Sequence, residues 1–155
     1  TKDLFNEALK FQKMGGNVDI TSGGSKFAPL HEVVAYGLEN GLNLERLTMS
    51  SDGNGSVPKF NENGELVGYG CASCASNLEV LQALVRNKIL KIEDTLALMS
   101  KNVARYLNLS QKGEIKVGND ADLCIFDEEL NLYDVIAKGE FCVKDEKVVK
   151  KGFFE

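Results

Sequence analysis

Apolar positions recur at helical spacing in the first residues of the chain. Leu4, Phe5, Ala8, Leu9 and Phe11 predict a helix over 3–14, and Gly15-Gly16 ends it where a glycine belongs. "NVDIT" (17–21) is a short β-type run that opens into the polar loop "SGGSKFAP". Pro29 suits a helix start, and Leu30, Val33, Val34 and Leu38 predict a helix over 30–40, closed by Gly41. "LERLTM" (44–49) is the next predicted strand, and "SSDGNGS" follows it. Helix, strand, helix, strand, with a glycine- and serine-rich loop after each strand, is the pattern of a parallel β/α structure. In such structures, active sites collect at the carboxyl ends of the strands. Asp52 has that address.

The chain continues with a glycine-containing stretch over 57–73 and a predicted turn at Glu62-Asn63-Gly64. Two helices are then predicted. One covers about 75–88, with Leu78, Leu81, Leu84 and Val85 inward; the other covers about 92–108, through Ile92, Leu96, Met99, Val103 and Tyr106/Leu107. After Leu109 the helical period is lost. Four short β-type runs (ADLCIFD, LYDVIAKG, EFCVKD, KVVKKG) predict a small β module. The expected domains are therefore 1–109 (α/β) and 110–155 (β).

Bulk composition narrows the function. A chain of 155 residues can bury a real core. A formal net charge of −5 argues against non-specific nucleic-acid binding, which needs a basic face to displace counterions. No apolar run is long enough to span a bilayer. The amphipathic N-terminus lacks the charged, apolar and small segments of an export signal, so a cytoplasmic location is expected. The first residue is Thr rather than Met, which suggests a piece of something longer.

Candidate chemistry gathers around 50–56. A plain turn needs one or two turn-forming residues, and here seven arrive together with one carboxylate. The loop lacks the Gly-Lys-Ser/Thr ending of a phosphate loop and the G-x-G-x-x-G of a dinucleotide site. His31, the only histidine, is expected on the side away from the strands' carboxyl ends, in a packing or surface role. With no second histidine, a Ser-His-Asp triad is excluded. Asp52 is then either a cap or Asx-turn residue, or a working group whose glycine neighbours let backbone approach a ligand. Cys71 and Cys74 in "CASC" have C-x-x-C spacing, while Cys124 and Cys142 lie at apolar, strand-like positions. Buried or incidental thiols are the commoner reading, and half a zinc site or a redox pair the alternative.

"LTMSSDGNGSVPKF", with "GGNVDITSG" upstream and "SKNVARYLNLSQKGEIKVGNDADLCIFD" downstream, resembles the C-terminal part of the isoaspartyl (β-aspartyl) dipeptidases of the amidohydrolase superfamily. The resemblance covers essentially the whole chain. "SSDGNGS" is specific to the dipeptidase group; "KGEIKVGNDADLCIFD" is shared more widely. The resemblance implies the last two strands and helices of a (β/α)8 TIM barrel plus part of a small β-sandwich. It implies that Asp52 binds one metal of a two-zinc centre and acts as general base and acid, and that Ser56 contacts a carboxylate of an isoaspartyl dipeptide. In the family, two zinc ions hold and acidify a bridging water. A homo-oligomer is expected of the full-length enzyme, with no nucleic-acid or membrane partner.

One departure bears on activity. The family's other metal ligands and its substrate-gripping arginines and tyrosine come from earlier strands, and a complete barrel needs about 250 residues. The expectation is a fragment, inactive alone, that carries one catalytic residue. Alternatives are another amidohydrolase, such as a deacetylase or cyclic-amide hydrolase, or a non-catalytic zinc-binding or assembly module built on "CASC".

Overall fold

The structure is a computed structural model that describes residues 1–23 and 27–152. The end of the predicted "SGGS" loop, and the last three residues of the predicted β module, lie outside the described residues. The chain divides into two compact units, Thr1–Val103 and Ala104–Glu155.

The first unit begins with α1 (Lys2–Lys13). Thr1 Oγ1 accepts from the Leu4 amide at 3.4 Å, Asp3 sits in the first turn, and Lys10 and Lys13 sit in the last, each complementing the helix dipole. Gly15 follows at φ +96°, a conformation that side-chain-bearing residues rarely adopt. The inner face differs from the one predicted. Leu9 and Gln12 are buried, whereas Leu4 and Phe11 are exposed and the Phe11 ring folds over Gly16. Gln12 goes inward because its amide has work there. It donates to the carbonyls of Asn43 and Arg46 at 3.3 and 2.9 Å, and its oxygen accepts from the Asn43 amide at 3.0 Å. A buried amide so satisfied carries little desolvation penalty.

Strand β1 (Val18–Thr21) leads, through its loop, to α2 (Leu30–Glu39), which buries Leu30, Val33, Val34 and Gly37. Residues Leu44–Arg46, predicted as strand, form a 3₁₀ turn instead, because Asn43 Oδ1 accepts from the Glu45 amide at 2.9 Å and holds the chain in a turn. Strand β2 is Leu47–Ser50. β1 and β2 pair in parallel, with Val18 opposite Leu47 and Thr21 opposite Ser50, as the alternation predicted. A helix that crosses from the end of β1 to the start of β2 must begin on the carboxyl side of the strands. His31, in the first turn of α2, therefore lies on that side and not on the opposite one.

A hairpin follows that the sequence reading did not resolve: β3 (Ser56–Phe60) and β4 (Leu66–Cys71), antiparallel. Its connection centres on the predicted turn, where Asn61 Oδ1 accepts from the amides of Asn63 and Glu65 at 3.0 and 2.9 Å. Helix α3 is Ser76–Arg86. The long helix predicted over 92–108 is instead two, α4 (Ile92–Met99) and α5 (Lys101–Tyr106). The break is at Ser100, with φ −131° and ψ −78°, where the hydroxyl donates to the Leu96 carbonyl at 2.6 Å. Beyond it, Asn102 turns inward and donates to the carbonyls of Leu44 and Leu47 at 2.7 and 2.8 Å. The core gathers Leu9 from α1, Val34 from α2, Leu47 and Met49 from β2, Leu84 from α3 and Leu98 from α4.

In the second unit, β5 (Leu123–Phe126), β6 (Leu132–Ala137), β7 (Glu140–Lys144) and β8 (Lys147–Val148) form a four-stranded antiparallel sheet in that order. The four predicted β runs hold these strands. β6 and β7 are joined by Lys138-Gly139, and β7 and β8 by Asp145-Glu146, with positive φ at all four residues, as tight hairpins require. Among the described residues, no helix is long and apolar enough to cross a membrane.

The approach to this sheet is pinned by charge. Lys112 pairs with Asp120 at 2.8 Å and also with Asp122, whose Oδ1 accepts from the Lys138 amide at 2.8 Å. Hydrogen bonds from Asp120 and Asp122 raise the Lys112 ammonium above its ordinary value, and the bonds from Lys112 and the Lys138 amide lower the Asp122 carboxyl. A lowered carboxyl stabilises above its unfolded pKa and loses that contribution as pH falls through the folded value. A raised ammonium stabilises below its unfolded pKa and loses it as pH rises through the folded value. The Lys138 amide proton is therefore expected to titrate with a midpoint below 3.8, the ordinary carboxyl value. An NMR pH titration reads this, and Asp122→Asn should abolish the inflection.

Candidate active site

The carboxyl ends of β1 and β2 carry two loops that the first unit draws together. The ladder runs on past the strands, with the Ser22 amide donating to the Ser50 carbonyl at 2.7 Å. The Ser22 hydroxyl meets Ser76 Oγ at 2.8 Å and donates to Asn77 Oδ1 at 2.6 Å, which fixes the start of α3 against the β1 loop. On one face of the strand pair, Asp19 accepts from Thr48 Oγ1 at 2.6 Å and from Ser50 Oγ at 2.5 Å. This Asp19–Thr48–Ser50 cluster was missed in the sequence reading. Its signal was the period-2 alternation itself, since Val18, Ile20, Leu47 and Met49 take the core face and leave Asp19, Thr48 and Ser50 to the other.

Asp52 sits at the tip of the second loop, exposed, with φ +52°. Left-handed backbone is uncommon for a residue with a side chain and is tolerated best by Asp and Asn. Asn54 shares it at φ +65°. Two hydrogen bonds lock this turn to the far strand of the hairpin: Asn54 amide to Ala72 carbonyl at 3.0 Å and Ala72 amide to Gly55 carbonyl at 2.9 Å. A third closes the turn itself, from the Gly55 amide to the Asp52 carbonyl at 2.9 Å. The glycines answer a need for space. A Cβ on Gly55 would stand 2.8 Å from the Asp52 carbonyl oxygen and 3.1 Å from its carboxylate, and one on Gly53 would stand 2.3 Å from Cys74 Sγ. The carboxylate thus lies over Gly55, on a loop braced from below by Cys74.

Ser56 is exposed and opens β3, opposite Cys71 in the register, so it belongs to a strand rather than to the loop. Asp52 and Ser56 stand on one continuous, hydrogen-bonded segment. Of the commoner reading, buried or incidental thiols, the structure removes only the first half, since none of the four cysteines is fully buried. Cys71, Cys74 and Cys124 are exposed and Cys142 is half-buried, all reduced. Cys124 lies in β5 and is exposed as a residue, while partial burial of its thiol pushes the sulfur above its ordinary pKa. Cys71 Sγ lies 3.8 Å from Asn54 Oδ1. Among the described residues no three His, Cys, Asp or Glu side chains converge to hold a metal ion. Asp52 offers one carboxylate, and the described residues do not by themselves fit a zinc centre.

A parallel strand pair joined through a helix thus carries a braced carboxylate loop at its carboxyl end, and an antiparallel sheet follows later in the chain. The amidohydrolase family model matches residues 11–153, and the chain belongs to this family. It is similar to the β-aspartyl dipeptidase of the thermophilic, keratin-degrading Fervidobacterium islandicum AW-1. In the complex of that enzyme with the β-Asp-Leu dipeptide, the identity is 36%, the TM-score 0.82, and the match covers 99% of this chain and 40% of that one. A second structure of the Fervidobacterium enzyme matches at 29% identity and TM-score 0.76, over 99% of this chain and 38% of that one. The N-acetylglucosamine-6-phosphate deacetylase of Thermotoga maritima shares the fold at 20% identity and TM-score 0.61, over 83% of this chain and 39% of that one. The chain therefore spans about two-fifths of the length of these relatives.

Proposed function

We propose that these residues form the C-terminal part of a zinc-dependent β-aspartyl dipeptidase that hydrolyses isoaspartyl dipeptides. On this reading, β1 and β2 are the last two strands of a (β/α)8 barrel, and the sheet β5–β8 belongs to a small β-sandwich. The domains divide at 109/110, and the full-length enzyme is a cytoplasmic homo-oligomer. The observation that carries the proposal is the braced Asp52 loop at the carboxyl end of a parallel strand pair. The similarity to an enzyme solved with β-Asp-Leu favours a dipeptidase over a deacetylase, whose likeness is one of fold.

Asp52 is assigned the proton transfer. A carboxylate can take a proton from the attacking water, then deliver it to the leaving amine as the amide bond breaks. Its left-handed backbone and the hydrogen-bonded turn fix where the side chain leaves the main chain, at the carboxyl end of β2. Amidohydrolases generally use metal ions, and Asp52 can contribute one ligand; the others must come from outside this chain. Ser56 is assigned to substrate binding, its hydroxyl donating to a carboxylate of the dipeptide.

The test is turnover of β-Asp-Leu by the full-length enzyme that carries this chain, compared with Ser56→Ala. A hydrogen bond to a charged group contributes roughly 1.5–3 kcal/mol. Ser56→Ala is therefore expected to lower kcat/KM about tenfold to a hundredfold, with zinc content unchanged. Hydrolysis of α-linked Asp-Leu in place of the β-linked isomer would overturn the assignment.

A further inference from the structure

Two serines stand side by side where β2 ends, and they have different partners. Ser51 Oγ accepts from the Gly53 amide at 3.2 Å, a side-chain turn that opens the Asp52 loop. Ser50 is the same residue type one position earlier, and its hydroxyl can close the same kind of turn onto the Asp52 amide. Instead it donates across the strand pair to Asp19 Oδ2 at 2.5 Å. Asp19 Oδ1 accepts from Thr48 Oγ1 at 2.6 Å, one step back along β2.

The parallel register makes this bridge. Asp19 lies opposite Thr48 and Thr21 opposite Ser50, so Asp19, Thr48 and Ser50 share a face. Residues two apart on a strand stand about 7 Å apart, and one carboxylate, with an oxygen for each, reaches both hydroxyls. O–H···O⁻ bonds of roughly 2.5–2.7 Å are charge-assisted and about twice as strong as neutral ones. The Ser50 side chain is thereby committed toward β1. Its carbonyl is committed too, since it accepts from the Ser22 amide at 2.7 Å. The β1 segment therefore grips the last residue of β2 by main chain and side chain together, and the turn begins at Ser51.

Resting on the proton-transfer role proposed for Asp52, we infer that Asp19 is a positioning residue for that carboxylate. By holding the Ser50 hydroxyl, it sets the residue at which the loop leaves the strand. Without it, Ser50 and Ser51 compete to start the turn. A start one residue early shifts the loop by one strand rise, about 3.3 Å. A misplacement of about 1 Å can cost a reaction roughly 10²-fold. Asp19 acts through Ser50 and takes no part in the proton transfer itself, so its loss lowers kcat and leaves substrate binding largely as it was.

The experiment measures kcat and KM for β-Asp-Leu, with kcat taken per bound zinc, in the full-length enzyme that carries this chain. The variants are Asp19→Ala, Asp19→Asn, Ser50→Ala and the double Asp19→Ala/Ser50→Ala. Asp19→Ala should lower kcat about tenfold to a hundredfold, with KM within about twofold. Asp19→Asn keeps an acceptor oxygen for Ser50 and should stay within about threefold of the unsubstituted enzyme. Ser50→Ala removes the tie and the competing hydroxyl together, so it should cost little alone and, added to Asp19→Ala, recover most of the lost kcat. Hydrogen–deuterium exchange over 51–55 should follow the same order, faster in Asp19→Ala and slowed again in the double variant. An unchanged kcat in Asp19→Ala, or a double variant as slow as Asp19→Ala, would reduce the bridge to a plain strand tie. Equal losses in Asp19→Asn and Asp19→Ala would make the charge itself the active part. Each of these overturns the inference while the dipeptidase reading stands. Absence of β-Asp-Leu hydrolysis in the unsubstituted, zinc-replete enzyme would overturn that reading, and the inference with it.

Discussion

Replacing Asp52 by Asn in the full-length enzyme is expected to lower kcat for β-Asp-Leu by about 10²–10⁴, the usual contribution of a positioned general acid–base group. The substitution keeps the size of the side chain and one oxygen able to act as a ligand, but removes the proton acceptor. The Asp52 turn should survive it. Asn tolerates the left-handed backbone that Asp52 adopts at φ +52°, as Asn54 already does at +65°. The hydrogen bond that closes the turn and the two that tie it to Ala72 are between backbone groups of Asp52, Asn54, Gly55 and Ala72, and none uses the Asp52 side chain. A fall in kcat without a fall in the melting temperature would therefore isolate the chemistry. Zinc content separates the two remaining causes, since loss of metal would make Asp52 a ligand first and a proton carrier second. Near-normal kcat in fully metallated Asp52→Asn would return the residue to the status of a turn former.

A second large effect is expected far from any chemistry. Leu47 opens β2, is fully buried, and packs among Val34, Met49, Leu84 and Leu98. Leu47→Ala should destabilise the protein by about 2–5 kcal/mol, the sum of lost apolar burial and the cavity left behind. That is a large part of the roughly 5–15 kcal/mol that holds a domain together. The site is poorly able to collapse, because the Leu47 carbonyl is held by Asn102 and the strand by its parallel register with Val18. Urea unfolding should show a lower midpoint with an unchanged slope. Met14→Ala is the contrast. Met14 is 85% exposed at the end of α1, and its replacement should move stability by no more than about 0.5 kcal/mol. A Leu47→Ala loss as small as that would mean the core closes over the gap.

How much of this was legible from the chain alone depends on whether the deciding interactions are local. The helices over 2–13, 30–39 and 76–86 are each set by spacing along one segment and by residues at their own ends, and they appear where the pattern put them. The parallel pair was legible too, since two β-type runs separated by a helix leave few other pairings. The four β runs after Leu123 are bounded by tight turns built from their own residues, Lys138-Gly139 and Asp145-Glu146 among them. The junction of Met49 with a glycine- and serine-rich run identified the Asp52 loop before any geometry was known.

Tertiary structure decided the rest, wherever a polar group chose between a local and a distant partner. Gln12 displaced Phe11 from the inner face of α1 because Asn43 and Arg46, more than thirty residues away, present carbonyls and an amide that only a primary amide can satisfy together. The periodicity of 92–108 is real, yet the helix breaks because the Ser100 hydroxyl bonds back to Leu96 while Asn102 reaches the carbonyls of Leu44 and Leu47. The hairpin at 56–71 buries neither face, so it leaves no hydrophobic alternation to read; its register comes from backbone pairing alone. Even the need for glycine at 53 is set from a distance, by the Cys74 sulfur that fills the place of its side chain. Hydrophobic period is a property of neighbours in sequence, and so the chain announces it. The partner of a buried amide or the sulfur behind a turn is a property of the folded packing, and only the folded packing reveals it.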